Sequence, residues 1–332
     1  MVILVTGGAG FIGSVLIRNL LSQGYRVKCL DRFFFGKESL KDIEGETNVK
    51  LVEADTRSFN PSLLNDVSVV VDLAAIGQPD PQQLIDRALF YDINYLGPAR
   101  VAILSKMRGV ERYVFASTCS TYGFQKEIVA ENSEPSPVDI YASTKALVEG
   151  NLFQICDGDF SVTSLRFGTL YGLSPKMRFD LVANTMTLSL FRDNKIMIGG
   201  DGKQCRPVVH VEDVANAVIK TIESEKEAVS GEVFNVGSNE QNYTMLELAN
   251  LVGSVVPCYE TEFFGEVDKR SYRVNFDKIA ETLGFQVEYT PQIGAEEVYE
   301  ALGSGKLAPD ERHYTIKWWA HLSKRENLWR TL

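Results

Sequence analysis

Paired cysteines are absent: the five thiols of this 332-residue chain, Cys29, Cys119, Cys156, Cys205 and Cys258, are odd in number, scattered and never spaced as Cys-x-x-Cys. Neither a disulfide framework nor a zinc site is expected, and no metal is assigned. Apolar runs long enough to span a membrane are absent too. No basic segment precedes an apolar one at the N-terminus, because strand-like residues begin at Val2, so the cytoplasm is the default compartment. Positive charge is in deficit, with a formal net charge of −10. That balance argues against a nucleic-acid or anionic-membrane partner and means that an anionic substrate would need local arginines. Internal repeats and low-complexity segments are also missing, and the composition and length are those of a globular protein of about two domains.

What is present begins with Val2 to Val5, a continuous apolar run suited to a strand buried on both faces of a parallel sheet. A glycine-rich turn follows. Ile12, Val15, Leu16 and Leu20 then recur at helical spacing, predicting a helix over residues 11–22 that Gly24 ends. Strand, glycine turn and helix in that order form a pyrophosphate cradle, because glycines allow close backbone approach and the free amides of the helix N-terminus face the anion. Gly7, Gly10 and Gly13 are spaced Gly-x-x-Gly-x-x-Gly, wider in the first gap than the standard Gly-x-Gly-x-x-Gly. A second strand, Arg26 to Leu30, ends in Asp31, whose carboxylate can accept hydrogen bonds from ribose hydroxyls and would repel a 2′-phosphate. NAD is favoured over NADP on that ground, and Arg32 directly after Asp31 keeps NADP open.

Further buried strands are predicted at Val49 to Glu53, Val67 to Leu73, Tyr113 to Ala116 and Ser161 to Arg166, with helices at Gln83 to Met107 and Tyr141 to Ile155. This alternation predicts an α/β fold with a doubly wound parallel sheet. Asp55, just after the third strand, could contact adenine, and Leu73-Ala74-Ala75 leaves room for a cofactor; both could equally be loop or packing residues. After Tyr171-Gly172 the pattern loosens, predicting a smaller second domain over residues 173–332. His210 to Ile222 reads as a helix and Val233 to Gly237 as a strand, so residues 208–238 are expected to return to the first domain, residues 1–172. The last thirty residues, with Trp318, Trp319 and Trp329 among many charges, give no reading.

The chemistry is carried by Tyr141 and Lys145, which share a helix face at i and i+4. A phenol titrating near 10 is a poor base at neutral pH unless a positive charge stabilises its phenolate, and Lys145 is spaced to supply one. Thr118, in the hydroxyl-rich turn after the fifth strand, can bond the same substrate oxygen as Tyr141.

Together these residues resemble the extended short-chain dehydrogenase/reductase family, in particular its NAD-dependent nucleotide-sugar epimerases and dehydratases. The likeness runs over nearly the whole chain: Thr6 to Gly13, Asp31, Asp55, Leu73 to Ala75, Asn94, Ser117-Thr118 with Tyr122-Gly123, Tyr141 with Lys145, Leu165-Arg166, Tyr171-Gly172, and Gly200-Asp201-Gly202 through Arg206 to Asp213. The resemblance implies a Rossmann-type sheet with a smaller C-terminal α/β substrate domain. It implies NAD held by Gly7, Gly10, Phe11, Ile12, Gly13, Asp31, Arg32, Asp55, Thr56, Leu73, Ala74, Ala75, Asn94, Tyr141 and Lys145. It further implies a nucleotide-diphosphate sugar facing Thr118, Cys119, Ser120, Asn184, Arg206 and Arg270, and a homodimer built on the helices Gln83 to Met107 and Tyr141 to Ile155. The implied chemistry is hydride removal from sugar C4 and return to the opposite face, with Tyr141 as base and acid, Lys145 lowering its pKa and Thr118 orienting the hydroxyl.

Two departures sharpen this. Dehydratases of the family carry Asp-Glu directly after the catalytic threonine, where this chain has Cys119-Ser120 and so lacks the acid and base that elimination needs. Cys119 reads as a small buried residue near the pocket rather than as a catalytic thiol. Thr169 stands where the family has asparagine, which weakens the sugar-contact assignment. The reading is an NAD-dependent 4-epimerase, followed by a C4 dehydrogenase or ketoreductase, an unusual dehydratase, and a non-catalytic NAD sensor.

Overall fold

A computed structural model of the protein describes residues 1–77, 87–266 and 271–323. Seven parallel strands form the central sheet, in the order Glu232–Val236, Ser161–Phe167, Arg112–Thr118, Val69–Asp72, Val2–Thr6, Arg26–Asp31, Val49–Glu53. The expected Val2 to Val5 run is buried on both faces along its whole length. Chain order reverses at Val2–Thr6, whose neighbours are Val69–Asp72 on one side and Arg26–Asp31 on the other. A parallel sheet opens a crevice at the carboxyl ends of its strands where the order reverses.

The helix predicted over residues 11–22 is Phe11–Ser22, and it packs on Val211–Glu223, which buries Val211, Val214, Ala215, Val218 and Ile222. His210 caps that second helix, its Nδ1 accepting from the Glu212 amide at 3.2 Å. The helix expected from Gln83 to Met107 is instead, within the described residues, three helical pieces: Arg87–Tyr91, a wider π-turn over Asp92–Leu96, and Gly97–Met107. Pro98 has no amide to give to the carbonyl four residues back, and the turn widens so that the Gly97 amide reaches the Asp92 carbonyl.

Beyond the sheet, Thr169–Tyr171, Cys205–His210 and Asn242–Thr244 form a three-stranded ribbon, and Lys195–Gly199 pairs with Glu260–Phe264. The helices Val182–Asp193, Met245–Gly253 and Pro291–Gly303 close around Met186, Leu190, Ile196, Ile198, Leu248 and Val252, and this second packed body stands over the strand ends. Among the described residues no helix is long and apolar enough to cross a membrane, and no group of three or more His, Cys, Asp or Glu could hold a metal ion.

Candidate active site

The carboxyl ends of the central strands open on a cavity of about 660 Å³, lined by the glycine turn on one side and by residues of the second packed body on the other. Gly7 turns the chain at φ +65°, and a side chain there would come within 2.9 Å of Ala74 Cα. Gly13 lets the helix sit on the turn, since a Cβ would lie 2.5 Å from the Gly7 carbonyl oxygen. Gly10 is the N-cap and offers no side-chain acceptor, so the first-turn amides are left for a ligand. Thr6 gives its hydroxyl proton to Asp72 and accepts from the amides of Leu73 and Ala74 at 3.2 and 3.1 Å, fixing the neighbouring turn.

Gly7, Gly10, Phe11, Ile12, Gly13, Asp31, Arg32, Asp55, Thr56, Leu73, Ala74 and Ala75 all line this cavity. Asp31 accepts the Ala9 and Phe33 amides at 3.0 and 2.7 Å, tying the second strand to the glycine turn; burial pushes its carboxyl up against the pull of those amides. At Asp55 burial acts in the same sense, but the Arg57 guanidinium bonds both oxygens and holds the carboxyl below the usual carboxylate range. Arg32 stands 3.8 Å from Asp55. Asn94 is elsewhere: it is fully buried, accepting from the Ile76 amide at 2.8 Å and donating to the Ile76 carbonyl at 3.2 Å. Its effect on the cavity therefore passes through the Leu73 to Gly77 turn. The glycine cradle, free amides and the buried Ser117 hydroxyl, which has no hydrogen-bond partner and lines the same space, together fit a nicotinamide dinucleotide.

Thr118, Tyr141 and Lys145 converge on that cavity from two elements, the end of Arg112–Thr118 and the helix Ile140–Gln154. Asp139 caps the helix, accepting from the Ala142 amide at 2.8 Å, which fixes the turn carrying Tyr141. The Thr118 oxygen accepts from the Ser120 amide at 3.1 Å, which leaves its own proton free to donate. Lys145 is almost wholly buried, gives a proton to the Ala116 carbonyl at 2.7 Å, and stands 5.9 Å from the Tyr141 ring centroid. Burial lowers its pKa to about 8, against the pull of Asp72 and Glu149. Burial also pushes the Tyr141 phenol up to about 12, and the cation that opposes this rise is Arg178.

Of the expected substrate residues, Thr118, Ser120 and Arg206 line the cavity. Arg206 donates to the Cys205 carbonyl at 3.1 Å and lies 5.3 Å over the Tyr272 ring. Two do not face it. Cys119 is fully buried, points to the Arg166 carbonyl at 3.1 Å and packs with Tyr122, Val129, Tyr272, Val274 and Phe276; burial raises its thiol far from a thiolate. Asn184 is occupied by backbone, accepting from the Gly172 amide at 3.0 Å and donating to the Arg178 carbonyl at 3.1 Å. Its place is to hold the Gly172 to Arg178 loop. Arg270 lies outside the described residues.

Residues 3–237 match the model of the NAD dependent epimerase/dehydratase family. The chain belongs to that family. It is 28% identical to a UDP-glucose 4-epimerase of Lactobacillus helveticus over 75% of this chain and 79% of that protein. It is 29% identical to UDP-glucuronic acid decarboxylase 1 of Arabidopsis thaliana over 93% of this chain and 71% of that protein. Among solved structures it resembles MoeE5 in complex with UDP-glucuronic acid and NAD, at 27% identity and a TM-score of 0.81, covering 92% of this chain and all of that one.

The sequence motifs miss two cations that line the cavity, Lys176 and Arg178. Arg178 lines the cavity, pairs with Asp180 through Nε at 3.0 Å and Nη2 at 3.1 Å, and donates to the Gly77 carbonyl at 3.2 Å. Its place two residues before Asp180 is the only trace it leaves in the sequence. Because Arg178 favours the phenolate of Tyr141, Arg178→Met is expected to raise the phenol's pKa. The rising limb of the pH–rate profile should then move to higher pH by about one pH unit. An unmoved limb would remove Arg178 from this account.

Proposed function

We propose that the protein is an NAD-dependent 4-epimerase of a nucleotide-diphosphate sugar. The observation that carries this reading is the convergence of the Thr118 hydroxyl, the Tyr141 phenol and the buried Lys145 ammonium on the cavity that the glycine turn also lines. Bound NAD would supply a hydride acceptor and, by the same token, a donor. Thr118 would hold the C4 hydroxyl. Tyr141 would take its proton as the hydride leaves, and give a proton back once the sugar presents its other face. Lys145 would hold the cofactor ribose beside the phenol, and Arg178 would favour the phenolate. Arg206 would meet the diphosphate, a role suited to a planar cation with five donors.

Gly7, Gly10, Phe11, Ile12, Gly13, Asp31, Arg32, Asp55, Thr56 and Leu73 to Ala75 are proposed as the cofactor's contacts, and Ser120 with Thr118 as those of the sugar. Residues 1–172 with 208–238 are proposed as the cofactor-binding domain and the remainder as the substrate domain. Pairing of Glu232–Val236 with Ser161–Phe167 supports that division. A homodimer through Gly97–Met107 and Ile140–Gln154 is proposed as well, supported by the exposed Ile103, Met107 and Leu147 on these two adjacent helices and by the exposed Leu96 just before the first. Ile103→Lys should then yield a monomer in sedimentation velocity, and an already monomeric native protein would refute it.

UDP-sugars are the first substrates to try, because the Lactobacillus helveticus relative and MoeE5 are named with them. Each sugar nucleotide is incubated with the protein while its C4 epimer and the absorbance of reduced nicotinamide are followed. The reading expects an epimer without lasting absorbance. A persistent stoichiometric signal would favour a C4 dehydrogenase instead.

A further inference from the structure

The C-terminal helix Thr315–Ser323 lies far beyond the family match, which ends at residue 237, and yet it supplies part of the cavity wall. Thr315 and Trp319 line the cavity, and Trp319 is buried there. Its indole meets two rings edge-on, Phe34 at 5.4 Å and Phe35 at 5.6 Å between centroids. Both phenylalanines stand on the loop directly after Asp31 and line the cavity themselves. The same cluster takes in Ile76, from the turn after Val69–Asp72, together with Phe90, Leu322 and the flank of Tyr141. One helix thus joins the two loops on either side of the glycine cradle and reaches the proposed base.

The helix is tied down at several points. Trp318 donates its indole proton to the Phe34 carbonyl at 2.6 Å. Just upstream, Arg312 bonds Glu38 at 2.6 Å, the His313 carbonyl accepts from the Phe179 amide at 2.8 Å, and Lys176 donates to the Arg312 carbonyl at 3.0 Å while lying 4.0 Å over the Phe35 ring. We propose that Trp319 and its helix are a clasp that retains the dinucleotide between turnovers, with Trp319 the contact residue. This rests on the epimerase reading, in which the hydride must return from the same dinucleotide that took it; release after the first half-reaction would strand the oxidised sugar.

The test compares native protein, Trp319→Ala and Leu322→Ala, each carrying NAD, by the rate at which bound NAD exchanges with radiolabelled NAD. Leu322 is buried in the same cluster but does not line the cavity, so a merely structural helix would make the two variants behave alike. Trp319→Ala is expected to exchange NAD about ten-fold faster than Leu322→Ala. If Trp319→Ala does not fold, Trp319→Leu serves, since it keeps an apolar side chain in the cluster but lacks the ring. Equal exchange in the Trp319 and Leu322 variants, or exchange in the Trp319 variant as slow as in native protein, would overturn the clasp. Neither result depends on any sugar being turned over, whereas a native protein that binds no NAD would sink the epimerase reading itself.

Discussion

Tyr141→Phe should lower turnover by about 10³-fold while leaving NAD bound, because it deletes a proton-transfer group and nothing else of size. The phenyl ring keeps the contacts Tyr141 makes with the apolar cluster around Trp319, so the cavity wall is preserved. The missing oxygen is the group that burial holds at a pKa of about 12 and that Arg178 draws downward. Neither neighbour in the turn after Thr118 replaces it: Ser120 has no titration near neutrality, and the Cys119 thiol is sealed away from the cavity. Lys145→Met should behave differently, losing cofactor affinity along with rate if the ammonium also holds the ribose. Turnover by Tyr141→Phe at the native rate would remove the phenol from the mechanism.

The largest stability effect is expected at Glu149, on the same helix eight residues past Tyr141. Its carboxylate and the Arg166 guanidinium are both 5% exposed and meet at 2.7 Å, with two further contacts through Nε at 3.1 and 3.2 Å. Ser164 adds a hydrogen bond to Glu149 at 2.9 Å, and Arg166 bonds the Tyr122 hydroxyl at 2.9 Å. Glu149→Ala strands a buried cation and should cost about 3–5 kcal/mol, a large part of the roughly 5–15 kcal/mol that holds a domain folded. Replacing both partners by methionine should cost much less, because neither charge is then left unpaired. Denaturant midpoints of the two singles and the double decide this; a mild Glu149→Ala would mean that solvent or a third group rescues Arg166. The pair pins Ile140–Gln154 to Ser161–Phe167, so a weakened pin should also blur the position of Tyr141 and reduce activity.

Much of this is legible in the sequence wherever the signal is local. Residues 11–22 announced their helix by apolar spacing, and Val49 to Glu53 its strand, with ends where they are observed. Thr118, Tyr141 and Lys145 were legible because one strand end and one helix present them. Where the sequence misled, long-range packing decided. Cys119 sits in the right turn, but its direction is set by Tyr272, Val274 and Phe276, some 150 residues away. Asn184 and Asn94 looked like ligand contacts, yet both amides are consumed by loop backbone that must be satisfied once buried. The π-turn at Asp92–Leu96 was foreshadowed by Pro98 and passed unread. Trp319 was opaque, because its purpose depends on Phe34 and Phe35 at the other end of the chain; the spacing of Ile316, Trp319 and Ala320 was its one local sign of a helix face.

In the proposed reaction one hydride leaves C4 of a nucleotide sugar and comes back to the same carbon. The most direct measurement uses UDP-glucose, or whichever sugar nucleotide the panel identifies, deuterated at C4 and turned over in ordinary water. The epimer is expected to keep its deuterium at C4. Loss of that label to solvent, with inversion still occurring, would contradict it.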